Sequence, residues 1–426
     1  MVNSEHQGLR VAFISTRIAG KDGVSLEVEK WAAVLGRLGA ECFYIAGECD
    51  RPRECSATIP AAHFNHPEIV EITRQAFGGA GKRGVNLTSQ IFRLAKEIRD
   101  PLKQVLERFE VDVVIAENAL TIPMNIPLGI ALVWTLEELG LGCIAHHHDF
   151  YWERERYLDS SVDDLLRYAF PPSLSKIQHV VINQMAAEEF SRRTGLYCRI
   201  VPNVMDFSHP PLPADDYAKS LRQQLGMVND ELLVLQPTRV VERKGIEHSI
   251  ELVRRLGNAR LVISHASGDE GMAYANFLRL FSGTMGVNLI FADHWLRDER
   301  GTGSDGTRFF TLEDFYREAD LVAYPSEYEG FGNAFLEAIY YQKPIFCKRY
   351  AVFRTDIEPC GFNVAAFDDF VTRDTVAQVE TMLTSPDLPK ILEHNYQTAK
   401  HYFSYEVLEE ELRPLLRRAS LATRSR

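Results

Sequence analysis

Short apolar runs of strand character alternate with amphipathic, helix-like stretches along nearly the whole of this 426-residue chain. Residues 10–15, 41–46, 112–116, 142–146, 179–182 and 199–201 read as strands in the first half. In the second half the strands are 232–236, 260–264, 288–292, 321–324 and 344–347. Strands separated by helices pack as parallel sheets with helices on their faces. Between the two sets lies "DFSHPPLPADDYAKS", a proline- and aspartate-rich stretch that reads as a hinge near residues 206–220. The length also exceeds what one core normally serves. The expectation is an α/β protein of two doubly wound, parallel-sheet, Rossmann-like domains, residues 1–207 and 208–399, followed by a terminal helix, 400–426.

Composition narrows the functional classes. Hydrophobic residues at 46% and charged residues at 25% describe a soluble globular chain. A net charge of −12 argues against nucleic acid as a partner, because polyphosphate needs a basic face. Seven scattered cysteines, with no C-x-x-C pair, read as reduced thiols of a cytoplasmic protein. The N-terminus runs into the first strand without a signal peptide. The longest apolar run, Ala119–Leu136, carries Pro123, Asn125 and Pro127 and reads as a buried helix, so no membrane association is expected.

Four segments carry chemistry. In "AYPSEYEGFGNAFLEAIYYQKPIF" a strand ends in Pro325-Ser326, an acidic glycine-bearing turn follows, and then a helix. Glu329 and Glu337 have seven residues between them. The free N–H groups from Phe331 through Gly332 and Asn333 to Ala334 can hold phosphate or sugar oxygens, Glu329 can accept from sugar hydroxyls, and Glu337 from a ribose diol. Gly330 and Gly332 let a ligand approach the backbone. On spacing alone, two solvated glutamates are the better reading. In "QPTRVVERKGIEHSIELV", Arg239 and Lys244 at a strand-to-helix turn suit a diphosphate, the former as a fork and the latter as a point charge. The loop after the first strand, with Gly20, Gly23, Val24 and Ser25, opens a helix and offers anion-binding N–H groups. His146, His147, His148 and Asp149 end another strand, where open α/β sheets place ligands. Neighbouring strand residues point to opposite faces, so three adjacent histidines are not expected to converge on a metal.

These strings resemble the retaining glycosyltransferases of family 4. "EGFG" opens an E-x7-E signature, "TLEDFYREAD" is its lead-in, Arg239 to Gly245 match R-x4-K-G, and "HHHDF" is similar to the family's "HD". "VPNVMDF" is similar to "PNGVD" with Val204 in place of glycine, "SHASGDEG" replaces a glycine-rich turn, and the common "GGxxE" is absent after Phe346. The resemblance implies the two-Rossmann glycosyltransferase-B fold, with the terminal helix crossing back to the first domain. It implies a retaining transfer of a hexose from a nucleoside-diphosphate sugar, of the GDP-mannose or UDP-glucose type, with domain closure excluding water. His148, Glu329, Arg239 and Lys244 take the catalytic roles. The donor is held by Gly23, Val24, Gly268 and the turn from Glu329 to Asn333, together with Glu337. No aspartate pair stands where a metal would hold the diphosphate, so neither metal nor other cofactor is expected.

For the acceptor, Asn118, beside Glu117, and Asp149 end first-domain strands. Tyr151, Trp152, Arg154 and Arg156 offer aromatic faces and guanidinium forks, and Lys82 and Arg83 sit in a loop. A surface helix start accounts for the Tyr151–Arg156 segment equally well, and solvated charge is the better reading of Lys82 and Arg83. Residues 1–207 hold 22 Lys and Arg against 27 Asp and Glu, which favours a small soluble acceptor over a lipid. A sugar, a glycerate or a glycosylglycerate is the expected acceptor. Transfer to a lipid or polysaccharide, a nucleotide-sugar epimerase of the same architecture, and a homodimer remain open.

Overall fold

The computed structural model describes residues 7–79, 83–228, 230–265 and 272–424. The chain forms two compact units, 1–203 with 405–426, and 204–404.

The first unit is built on a seven-stranded sheet. Its strands are β1 (Arg10–Ile14), β2 (Glu41–Ala46), β3 (Ser56–Thr58), β4 (Val113–Glu117), β5 (Gly142–His147), β6 (Ile177–Val181) and β7 (Cys198–Ile200). They lie in the order β3-β2-β1-β4-β5-β6-β7, every neighbour parallel. The central strands are buried on both faces, so their sequences are continuous apolar runs rather than alternating ones. The run Ala119–Leu136 becomes a short turn, Pro123–Asn125, and the helix Ile126–Leu139. That helix is apolar almost all round because it is buried, packing with the amphipathic helix Leu87–Arg108 in one core. Asn125 caps it by accepting from Leu128 N, and Gly140 ends it in the left-handed conformation.

The terminal helix Tyr405–Arg424 lies with this first sheet. Leu408, Leu412, Leu416 and Ala419 recur at helical spacing and are all buried. A Cβ on Gly142 would sit 2.1 Å from the Ala419 carbonyl oxygen, so only glycine lets helix and strand approach this closely. Thr423 Oγ1 accepts from the Gly142 N–H at 2.8 Å.

The second unit carries a six-stranded sheet. Its strands are β8 (Leu232–Gln236), β9 (Ala259–Ile263) and β10 (Leu289–Phe291), then β13 (Leu321–Tyr324), β14 (Ile345–Lys348) and β15 (Ala365–Phe367); a hairpin, β11 (Gly301–Thr302) and β12 (Arg308–Phe309), stands apart. The order is β10-β9-β8-β13-β14-β15, again all parallel. Chain order reverses between β8 and β13, the kind of switch point at which open α/β sheets bind ligands beyond their strand ends. Among the described residues no helix is long and apolar enough to cross a membrane.

Candidate active site

In the second unit the ends of β8 and β13 meet. Gln236, the last residue of β8, donates to the Lys244 carbonyl at 2.9 Å and accepts from Ser249 Oγ at 2.6 Å, which pins the turn Glu242–Lys244. Gly245 follows with φ 58°, and a Cβ there would meet the Pro325 carbonyl oxygen at 2.4 Å. This close approach brings Lys244 to Glu329. Lys244 Nζ and Arg243 Nη1, the latter at 3.3 Å, both donate to the Glu329 carboxylate. The Lys244 and Glu329 side chains are only 11% and 12% exposed. Burial pushes the Glu329 carboxyl up, but Lys244, Ser326 and Arg243 outweigh it and leave it below its ordinary value. Burial likewise takes Lys244 below its ordinary value, against the pull of Glu329. The structure thus places a buried ion pair where the sequence suggested separate ligand contacts. Arg243, not Arg239, shares that pair; Arg239 is exposed, and its charge acts on Lys244 and His265.

Beyond Glu329 the helix Asn333–Tyr340 begins at Gly332, whose φ of 135° suits glycine and whose Cβ would lie 2.5 Å from Tyr350 Oη. Tyr350 Oη donates to the Phe331 carbonyl at 2.7 Å, while the Phe331 ring is buried against Phe403. Phe331 therefore offers only its backbone to a ligand. Gly330 is exposed and Asn333 half-buried. Glu337 is half-buried, and one of its oxygens accepts from Tyr316 Oη at 2.7 Å. His265, after β9, was not singled out from sequence. Ser264 Oγ lies 2.6 Å from its Nδ1, and burial, Arg239 and Lys244 all hold its imidazole below the ordinary range, hence neutral. Its signal was position alone, the end of a strand next to β8. Gly268, expected in the same loop, lies outside the described residues.

In the first unit β4 and β5 end side by side, with Glu117 paired in register with His146. Glu117 is fully buried, and its Oε1 lies 2.9 Å from His146 Nδ1 and within hydrogen-bond reach of His148 Nε2. Burial pushes the Glu117 carboxyl up, yet the two imidazoles outweigh it and hold it at about 2. The histidine run alternates along β5. Alternation does send His147 to the opposite face, where it meets Thr121 and, at 2.9 Å, His179. The same alternation puts His146 and His148 on one face, and with Glu117 their ligand atoms all lie within 4.8 Å of one another. Glu117, His146 and His148 are therefore the described residues able to hold a metal ion.

The expected acceptor residues fall into two groups. Asn118, with φ 55°, accepts from the His148 N–H and donates to Asp149 Oδ1, both at 3.3 Å, and Asp149 pairs with Arg154. Together with His148 these form one connected edge. Tyr151 packs against the core instead. Arg83 stands apart, held by both oxygens of Asp164 at 2.9 and 3.0 Å, and Lys82 lies outside the described residues. The helix opened by Gly23 also departs from expectation. Asp22 caps it and accepts from Val24 N and Ser25 N at 3.0 and 3.1 Å, so those N–H groups are not open to an anion. Gly23 itself has open space beside it.

Two doubly wound units, one with a Lys–Glu–Arg cluster at its sheet switch point, define the glycosyltransferase-B architecture. Residues 309–398 match the family model of glycosyl transferases group 1. The mannosylglucosylglycerate synthase of Thermotoga maritima is 30% identical over 441 residues, covering 95% of this chain and 99% of that one. The Petrotoga mobilis protein of the same description is 31% identical over 382 residues, covering 84% and 86%. Sucrose-phosphate synthase from Thermosynechococcus elongatus has the same fold, with a TM-score of 0.65 at 14% identity, covering 97% of this chain and 100% of that one. The chain belongs to the group 1 glycosyltransferases and is a hexosyltransferase.

Proposed function

We propose that the protein moves a hexosyl group, with retention at the anomeric carbon, from a nucleoside-diphosphate sugar to a hydroxyl of a small anionic acceptor of the glycosylglycerate class. The observation that carries this reading is the Lys244–Glu329–Arg243 cluster at the junction of β8 and β13, next to the helix N-terminus at Asn333. In the resting state Glu329 balances both cations. A diphosphate brings charge of its own for Lys244 and Arg239, freeing Glu329 to accept from hydroxyls of the donor hexose. These cations and the N–H groups after Gly330 stabilise the negative charge that grows on the departing diphosphate. They do so without a divalent ion at the diphosphate. Glu337 accepts from the ribose. In the first unit His148 orients the hexose, while Asp149 and Arg154 serve the acceptor. Gly23 leaves room for a ligand beside its backbone.

The name the two relatives share, mannosylglucosylglycerate synthase, favours mannose as the hexose and glucosylglycerate as the acceptor. A thermal-shift panel of GDP-mannose, UDP-glucose, GDP and UDP, each with and without Mg²⁺, tests the donor half. A ligand that binds only the folded chain raises its Tm by mass action. The expected result is a shift by GDP-mannose that Mg²⁺ leaves unchanged; no shift from any nucleotide sugar would overturn the reading.

A further inference from the structure

The edge formed by β4 and β5, from which His148 is proposed to orient the hexose, holds a second feature in the side chains behind that contact. We propose that Glu117, His146 and His148 form a binding site for one divalent ion of the zinc class. Two observations carry it. First, strand alternation and the Glu117–His146 register deliver two imidazoles and a carboxylate to one point, with all three ligand atoms within 4.8 Å. Tetrahedral zinc bonds of about 2.0–2.1 Å set ligand atoms roughly 3.3 Å apart, a spacing that side-chain adjustment alone supplies. Second, the side chains are 0%, 1% and 14% exposed, so the donors are already stripped of water and held. Trp31 stacks on the His146 ring at 4.2 Å and holds its orientation, with Nδ1 toward Glu117.

The donor set selects the ion. Calcium and magnesium ask for six or more oxygens, whereas two nitrogens and one oxygen are a zinc set. Three protein ligands leave a fourth position for water or a substrate oxygen. The site lies wholly in the first unit. A bound ion would fix the His148 ring, whose backbone N–H already donates to Asn118.

The test uses the full chain, dialysed against a strong chelator and then titrated with Co²⁺ as a visible probe. Expected are d–d absorption bands saturating at one ion per chain, bleaching on addition of Zn²⁺, and a Tm that rises with Zn²⁺. His148→Ala and Glu117→Gln should weaken Co²⁺ binding by more than the roughly 10–100-fold that losing an outer partner of a ligand costs. Far-UV circular dichroism and the nucleotide-induced Tm shift check that each variant is folded, and Glu117→Gln keeps shape and volume should His148→Ala misfold. Wild-type chain that binds no Co²⁺ at stoichiometric concentration, or variants that bind it as the wild type does, would overturn the site. Metal content and absorption are read without turnover, so failure here is distinct from failure of the transfer reading.

Discussion

Glu329 and Lys244 are each about nine-tenths buried, and each makes the other tolerable. Removing one partner of a buried pair costs about 3–5 kcal/mol, because the remaining charge stays dry and uncompensated. Arg243 also reaches Glu329, so Lys244→Met should fall at the low end of that range, and Lys244→Met with Glu329→Gln should recover part of the loss. Chemical denaturation of the two single variants and the double variant measures this as a coupling energy. Additive losses would show that the pair does not exist in solution. Turnover is a separate matter: Lys244→Ala should lower kcat about 10²–10³-fold, the usual cost of losing one preorganised group at a developing anion. The residue types were legible in sequence as R-x4-K-G and E-x7-E, but their pairing was not. That pairing depends on Gly245 letting one loop reach the Pro325 carbonyl, a contact between segments about 80 residues apart. Alternation along the histidine run was legible, but the meeting of His146 and His148 with Glu117 was not, because it depends on the register of β4 against β5.

At the scale of elements, long apolar strands announced themselves, and β2, β8 and β13 have the bounds their sequences suggest. The edge strands β3 and β15 escaped notice, being three residues each, and "SAT" has no apolar run to see. Such segments become strands only because a neighbouring edge offers its hydrogen bonds. The cap at Asp22 was equally hidden. Aspartate before a helix is an ordinary start signal, yet it was the glycines beside it that drew a ligand reading. The terminal helix makes the sharpest prediction at this scale. Gly142→Ala places a methyl against the Ala419 carbonyl, where backbone must move. Hydrogen exchange should show loss of protection along Tyr405–Arg424 and in β5, with the second unit unaffected. Unchanged protection in that helix would mean that it does not seat on β5 in solution.

For the whole molecule, alternation of period and a proline-rich break were enough to expect two parallel-sheet units, and the terminal helix was expected to join the first. What the chain acts on was less legible. The acidic first half argued for a small acceptor, but no single motif names a hexose or a glycerate, because sugar recognition is spread over hydrogen bonds from several loops. The proposal of mannose and glucosylglycerate rests on the name of the relatives. One measurement addresses the central claim directly: incubate the full chain with GDP-mannose and glucosylglycerate, and follow the products by mass spectrometry and proton NMR. The account predicts an acceptor heavier by one hexosyl group, one GDP released per transfer, and an α-anomeric product matching the donor configuration. Hydrolysis without a transfer product, inversion at the anomeric carbon, or no reaction with any nucleotide sugar would contradict it.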